Sequence, residues 1–139
     1  MRVDHMQQPI MQGNPVSDPR SFRRCLGQYA TGVTIVTTKV GEEMAGVTAN
    51  SFASVSLDPP LILWSIARTS RSFSQFERCE HFSINVLSKH QAPVSQHFSS
   101  SETDKFAAVQ WHEGLAGVPQ IVGSIAVFEC SVEARYQGG

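Results

Sequence analysis

From Gly123 to Tyr136 the chain alternates: Ala126, Phe128, Cys130, Val132, Ala134 and Tyr136 share one parity, and Val127, Glu129, Ser131, Glu133 and Arg135 share the other. Side chains that point to opposite faces with period two turn this pattern into one apolar face and one wetter face, so the stretch is predicted as a long antiparallel strand. Other segments read the same way. Val33-Thr34-Ile35-Val36-Thr37-Thr38 is β-branched throughout, and Phe82, Ile84 and Val86 alternate with Ser83 and Asn85. Such residues fit a pleated, half-buried surface. Leu61 to Ile66 is apolar enough to be expected as a central strand, and Met44 to Ser56 as an extended stretch with a bend or bulge. Lys39 to Glu43, with Gly41, supplies the turn between. Many strands beside two or three short helices point to a mainly β chain, a barrel or a sandwich, over alternating strands and helices.

The helices are few and short. Asp18-Pro19 has the form of an N-cap followed by proline in the first turn, and Phe22, Cys25, Leu26 and Tyr29 recur at helical spacing, so a helix is predicted to end near Gly32. Ser70 or Ser72 caps a second running to about Arg78, with Ser72 and Gln75 at capping-box spacing. A third covers Gln91 to Phe98, followed by a polar surface loop from Ser99 to Lys105. Residues 1–17 are polar and aperiodic and are expected to form a mobile arm, or one draped over a partner subunit, ahead of a single domain at 18–139.

Several functions are disfavoured by composition. The net charge of −1, from 11 basic and 12 acidic residues spread along the chain, leaves no electrostatic footprint for nucleic acid or anionic lipid. The apolar runs fall well short of the roughly 20 residues that span a bilayer. The N-terminus lacks the apolar core of a secretory signal. Cys25, Cys79 and Cys130 form no C-x-x-C pair, which suits reduced thiols in a cytoplasmic protein, and the five histidines show no metal-ligand spacing. No metal site is expected. With 17% charged residues the surface is sparingly solvated, so part of it is expected to meet a partner.

The segment from Gly46 to Pro60 concentrates hydroxyls, an amide and small side chains: Thr48, Ala49, Asn50, Ser51, Ser54 and Ser56 all lie in it. Small residues let the backbone approach a flat ring, and hydroxyls with backbone N–H groups hold a phosphate without a full cationic pocket. A solvent-exposed edge strand would show the same polar alternation. Lys105 offers an ammonium to a phosphate; it reads equally as a solvated loop lysine.

Three blocks together are more specific: Phe22 and Tyr29-Ala30-Thr31-Gly32 through Thr38, Gly46-Val47-Thr48-Ala49-Asn50-Ser51-Phe52 through Asp58-Pro59-Pro60, and Asp104-Lys105-Phe106. Over residues 20–139 the chain resembles the short-chain flavin reductases, the reductase components of two-component flavin-dependent monooxygenases. The resemblance implies an FMN-binding split β-barrel with a few short helices, working as a homodimer. It implies that FMN or FAD is the cofactor and NADH or NADPH the co-substrate. Thr48, Ala49, Asn50 and Ser51 would line the isoalloxazine and ribityl chain, with Ser54, Val55 and Ser56 nearer the phosphate. Ser70, Ser72, Lys105 and Phe106 would complete the phosphate end. Thr31, Gly32 and Val33 resemble the part that meets the flavin ring or the nicotinamide, although Gly32 serves equally well as a helix stop.

Family members continue beyond a segment like Tyr136-Gln137-Gly138-Gly139 into a Gly-Asp-His motif and at least one more strand. This sequence is therefore expected to lack the barrel's C-terminal strands and the histidine that helps place the nicotinamide. The activity implied is an NAD(P)H:flavin oxidoreductase supplying reduced flavin to a monooxygenase. A split-barrel flavin-binding protein or oxidase without free-flavin turnover is the alternative. Because the cofactors carry such chemistry, no acid–base dyad is required, and none is legible.

Overall fold

Among the residues that the computed structural model describes, 2–8, 11–27 and 33–138, there are ten strands and three short α-helices. The β-branched run becomes β3 (Thr34–Val40), which turns at Gly41 into β4 (Glu43–Ala49) in a full antiparallel register from Thr34↔Ala49 to Val40↔Glu43. A two-residue turn between twisted strands needs positive φ, and Gly41 supplies it at 60°. On its other edge β3 pairs with β7 (His81–Val86), and β7 pairs with β10 (Ala126–Ser131).

The sheet then runs through β1 (Arg2–Gln8) and β6 (Pro60–Leu63) to β5 (Ala53–Leu57), with β2 (Met11–Gly13) beside β1. Its order is β4-β3-β7-β10-β1-β6-β5. The two terminal strands, β4 and β5, are therefore consecutive in the chain, joined only by Asn50, Ser51 and Phe52. Four peptide steps reach at most about 14 Å, so the sheet must curl until its ends face each other. They are not hydrogen-bonded there. That opening is the split in a nearly closed barrel. Ser51 in this crossing is tied to the segment after β6: its Oγ donates to the Ser65 carbonyl at 3.1 Å and accepts the Ser65 N–H at 2.9 Å.

The barrel interior holds the larger core, with Val36, Phe82, Ile84, Phe128 and Ile62 essentially without solvent contact. α1 (Pro19–Gly27) closes one end by burying Phe22 and Cys25, and the Phe22 ring meets Phe128 edge-on at 6.2 Å. Asp18 does cap this helix, accepting the Ser21 N–H at 3.1 Å and the Ser21 hydroxyl at 2.6 Å. α2 (Phe73–Arg78) buries Phe76 against Trp64. On the other face of the sheet a second cluster of Ile35, Leu87, Phe98, Phe106 and Ile121 lies under α3 (Ala92–Ser99) and a small hairpin of β8 (Trp111–Glu113) and β9 (Pro119–Ile121). Each buried phenylalanine contributes about 1.5–3 kcal/mol relative to exposure.

Several expectations are corrected. In place of an arm at residues 1–17, β1 pairs with β10 from Arg2↔Ser131 to Gln7↔Val127, and Val3 is buried. The open edge of β10 offers backbone donors and acceptors that a polar segment satisfies as well as an apolar one. Leu61 to Ile66 yields only the short β6, second from the sheet's end; β7 and β10 are central. β10 ends at Ser131, short of the long strand expected, although one further main-chain bond follows it, from the Val132 N–H to the Glu80 carbonyl at 2.9 Å. Met44 to Ser56 divides into β4 and β5, with the irregular register lying between Ser54 and Ser56. Ser72 precedes α2 but makes no side-chain cap bond. The capping box is instead formed by Ser88 and Gln91. The β8–β9 hairpin had no clear sequence signal.

Candidate functional site

Beside the split, a cleft of about 380 Å³ opens between β4, the segment before α2, and the end of α3. Thr48, Ser70, Ser72, Ser99, Ser100 and Ser101 bring six hydroxyls to its lining, Arg71 and Lys105 bring two cations, and none of the described lining residues is a carboxylate. The walls are tied to one another. Thr48 Oγ1 donates to the Ser95 carbonyl at 2.7 Å, fastening β4 to α3, and Arg71 Nη1 donates to the Ser101 carbonyl at 2.7 Å. Ser70 Oγ accepts the Ser72 N–H at 3.3 Å, shaping the turn into α2.

Lys105 reaches back beneath this loop, donating from Nζ to the Phe98 carbonyl at 2.6 Å and to the Gly46 carbonyl at 3.3 Å. Burial, and then the nearby Arg71 charge, hold its pKa below the ordinary lysine value. Two like charges in one partly desolvated cleft disfavour each other until an anion is bound. Hydroxyls and cations without a carboxylate are the donor set for a phosphate. Gly46 is needed for the packing beneath: a Cβ there would lie 2.5 Å from Phe98 Cε1 and 3.3 Å from Phe106 Cζ.

Of the predicted residues, the structure brings Thr48, Ser70, Ser72 and Lys105 together in this cleft. Asn50 and Ser51 lie in the crossing between β4 and β5. Ala49, at the end of β4, is buried, and its carbonyl accepts the Thr34 hydroxyl at 2.5 Å. Ser54 and Val55 are exposed and Ser56 half-buried on β5, outside the cleft lining. Phe106 does not line the cleft either. It is 5% exposed and packs edge-on against Phe98 and Trp111, supporting the wall from behind. Val33 is exposed, its carbonyl accepting the Leu87 N–H at 2.9 Å, while Thr31 and Gly32 lie outside the described residues.

Sequence reasoning passed over Arg71, Ser99, Ser100 and Ser101. Arg71 stands between two serines that were singled out, which is a usable signal. The serine run is legible as a ligand wall only when Lys105, four to six residues on, is seen to fold back under it.

A model of the flavin reductase like domain matches residues 26–139. The chain belongs to this family. Among relatives of this flavin reductase domain, the flavin-dependent monooxygenase reductase subunit HsaB of Mycobacterium tuberculosis is 43% identical over 122 residues, 88% of this chain and 65% of that protein. The FMN reductase (NADH) SmoA of Agrobacterium fabrum is 46% identical over 120 residues, 86% of this chain and 68% of the relative. The structure of Streptomyces globisporus NADH:FAD oxidoreductase SgcE6 with NAD and FAD fragments superposes with a TM-score of 0.74 at 37% identity, covering 88% of this chain and 74% of that one. The chain thus spans somewhat under two thirds of HsaB's length. The fold is the mainly β split barrel of the flavin reductases, and the Gly46–Pro60 block carries the chain across the split.

Proposed function

We propose that this chain is the flavin-holding part of an NAD(P)H:flavin oxidoreductase that passes reduced FMN or FAD to a monooxygenase. The observation that carries the reading is the carboxylate-free cleft of six hydroxyls, Arg71 and Lys105 beside the split. It fits a flavin phosphate, and the activities for which HsaB, SmoA and SgcE6 are named agree with that ligand. When bound, the flavin supplies acceptance of a hydride from the C4 position of a nicotinamide and its onward delivery. The chain's own part is to hold and orient. Thr48 and the Asn50-Ser51 crossing support the ring and ribityl chain, with Ala49 beneath them. Ser70, Ser72 and Lys105, joined by Arg71, meet the phosphate. Ser54, Val55 and Ser56 on β5 flank the far side of the split, and Thr31, Gly32 and Val33 serve the nicotinamide side. Phe106 acts indirectly, through Phe98.

The working unit is a homodimer with flavin close to the interface, a reading supported by the exposed side chains of Val33, Val55 and Leu63 near the split. Cytoplasmic residence is supported by three buried free thiols. No helix among the described residues is long and apolar enough to cross a membrane. The test is consumption of NADH and of NADPH with FMN, FAD or no flavin added. Flavin-dependent consumption well above a protein-free control is expected, and rates equal to that control overturn the reading.

A further inference from the structure

The loop that carries Ser99, Ser100 and Ser101 to the cleft runs from the end of α3 to Lys105, and residues 99–104 are exposed throughout. Exposed chain of this kind is ordered either beforehand or when a ligand arrives, and ordering on arrival costs affinity. Here the start of the loop is fastened to α3. Ser99 Oγ donates to the Gln96 carbonyl at 2.9 Å and Ser100 Oγ to the His97 carbonyl at 2.6 Å. Arg71 holds the middle through the Ser101 carbonyl.

The far end is closed by two bonds that cross. His97 Nε2 lies 2.8 Å from the Lys105 carbonyl oxygen. A carbonyl can only accept, so Nε2 carries the proton and donates. Lys105 Nζ in turn donates to the carbonyl of Phe98, the residue after His97. Each side chain thus grips the main chain at the other's position, and the loop between them is shut at its base. A histidine in the last turn of a helix ordinarily serves that helix's own final carbonyls. His97 instead addresses a carbonyl eight residues on. Its ring is half-buried, edge-on to Phe98 with centroids 5.8 Å apart, and does not line the cleft. What its bond fixes is the main chain of Lys105, and with it the reach of the ammonium.

We propose that His97 is a positioning residue for anion binding: it acts through Lys105, holding that ammonium and the serine loop in the arrangement that receives a phosphate. The proposal rests on the reading of the cleft as the flavin phosphate site. A ligand-binding group works best when a supporting hydrogen bond has already fixed its place.

Fluorescence titrations of the full chain with FMN and with riboflavin test this. His97→Phe keeps a flat ring against Phe98 and removes the donor; it should weaken FMN about fivefold, the scale of one net hydrogen bond, and leave riboflavin within about twofold. His97→Gln, whose side-chain amide offers an N–H to the same carbonyl, should recover most of the FMN affinity, which a role in packing alone does not explain. In a Lys105→Ala background His97→Phe should cost little more, because residues acting through one another are not additive. His97→Ala repeats the titrations if the phenylalanine variant fails to fold. Wild-type FMN affinity in a folded variant lacking the donor, equal weakening of both flavins, no recovery in His97→Gln, or full additivity with Lys105→Ala overturns the proposal and leaves the phosphate reading standing. A wild-type chain that binds FMN no more tightly than riboflavin overturns that reading, and the proposal with it.

Discussion

Lys105 is bound to Phe98 through the main chain: its Nζ lies 2.6 Å from the Phe98 carbonyl oxygen, and the Gly46 carbonyl accepts from the same ammonium at 3.3 Å. Two of its three N–H groups are thus spent on the cleft wall, and the third remains for a ligand. Lys105 therefore both braces the wall and charges the site. Lys105→Ala should weaken FMN by about 1–2 kcal/mol, the range for a partly exposed charge-assisted contact, and riboflavin by less. Parallel fluorescence titrations with the two flavins measure the difference; equal losses would assign Lys105 to the wall alone.

The depressed Lys105 pKa sets a pH dependence. Burial and Arg71 disfavour the ammonium in the empty cleft, whereas a bound phosphate favours it, so FMN binding takes up a proton in the alkaline range. FMN affinity should fall as pH rises through the lysine's lowered value, with riboflavin nearly flat. For folding the sign is opposite. Over that window the folded state binds fewer protons than the unfolded one, so this residue's contribution to stability improves with rising pH. Titrations across alkaline pH, repeated on Lys105→Met, separate this effect from general alkaline loss.

Gly46→Val should destabilise the chain by about 1–3 kcal/mol, the usual cost of overpacking. The ring it would strike belongs to Phe98, which is fully buried and cannot swing away. Denaturant unfolding reads the cost. Phe98→Leu in the same chain should recover part of it by vacating the ring edge.

Burial pushes the Cys25 thiol up to about 11 and raises Cys130 as well. Both should resist iodoacetamide at neutral pH in the folded chain and react readily in denaturant. A raised thiol pKa contributes stability below the unfolded value, which is lost as pH climbs toward about 11. Mass spectrometry of labelled peptides checks the first statement and unfolding midpoints the second.

Strands whose side chains alternate, or whose residues are β-branched, were legible because burial imposes period two: Thr34–Val40 and His81–Val86 lie where their patterns place them. β1 was not, because Arg2–Gln8 is held by main-chain pairing to β10, which leaves little trace in side-chain polarity. In the cleft, Thr48 and Lys105 could be picked out as a hydroxyl and a cation, whereas Ser70 and Ser72 were pointed to by the resemblance alone. Arg71 and the serines at 99–101 depend on how α2 and α3 converge, and no local pattern encodes that. The resemblance set Phe106 at the phosphate end beside Lys105, yet its own ring turns into the core.

The central claim is that the cleft beside the split holds a flavin phosphate, and titrating the chain with FMN and with riboflavin while following flavin fluorescence tests it most directly. Wild type should quench FMN saturably and bind it more tightly than riboflavin, and Arg71→Ala together with Ser72→Ala should remove most of that preference while leaving riboflavin affinity nearly unchanged. Failure to bind FMN, or an undiminished preference for FMN in the double variant, would contradict the account.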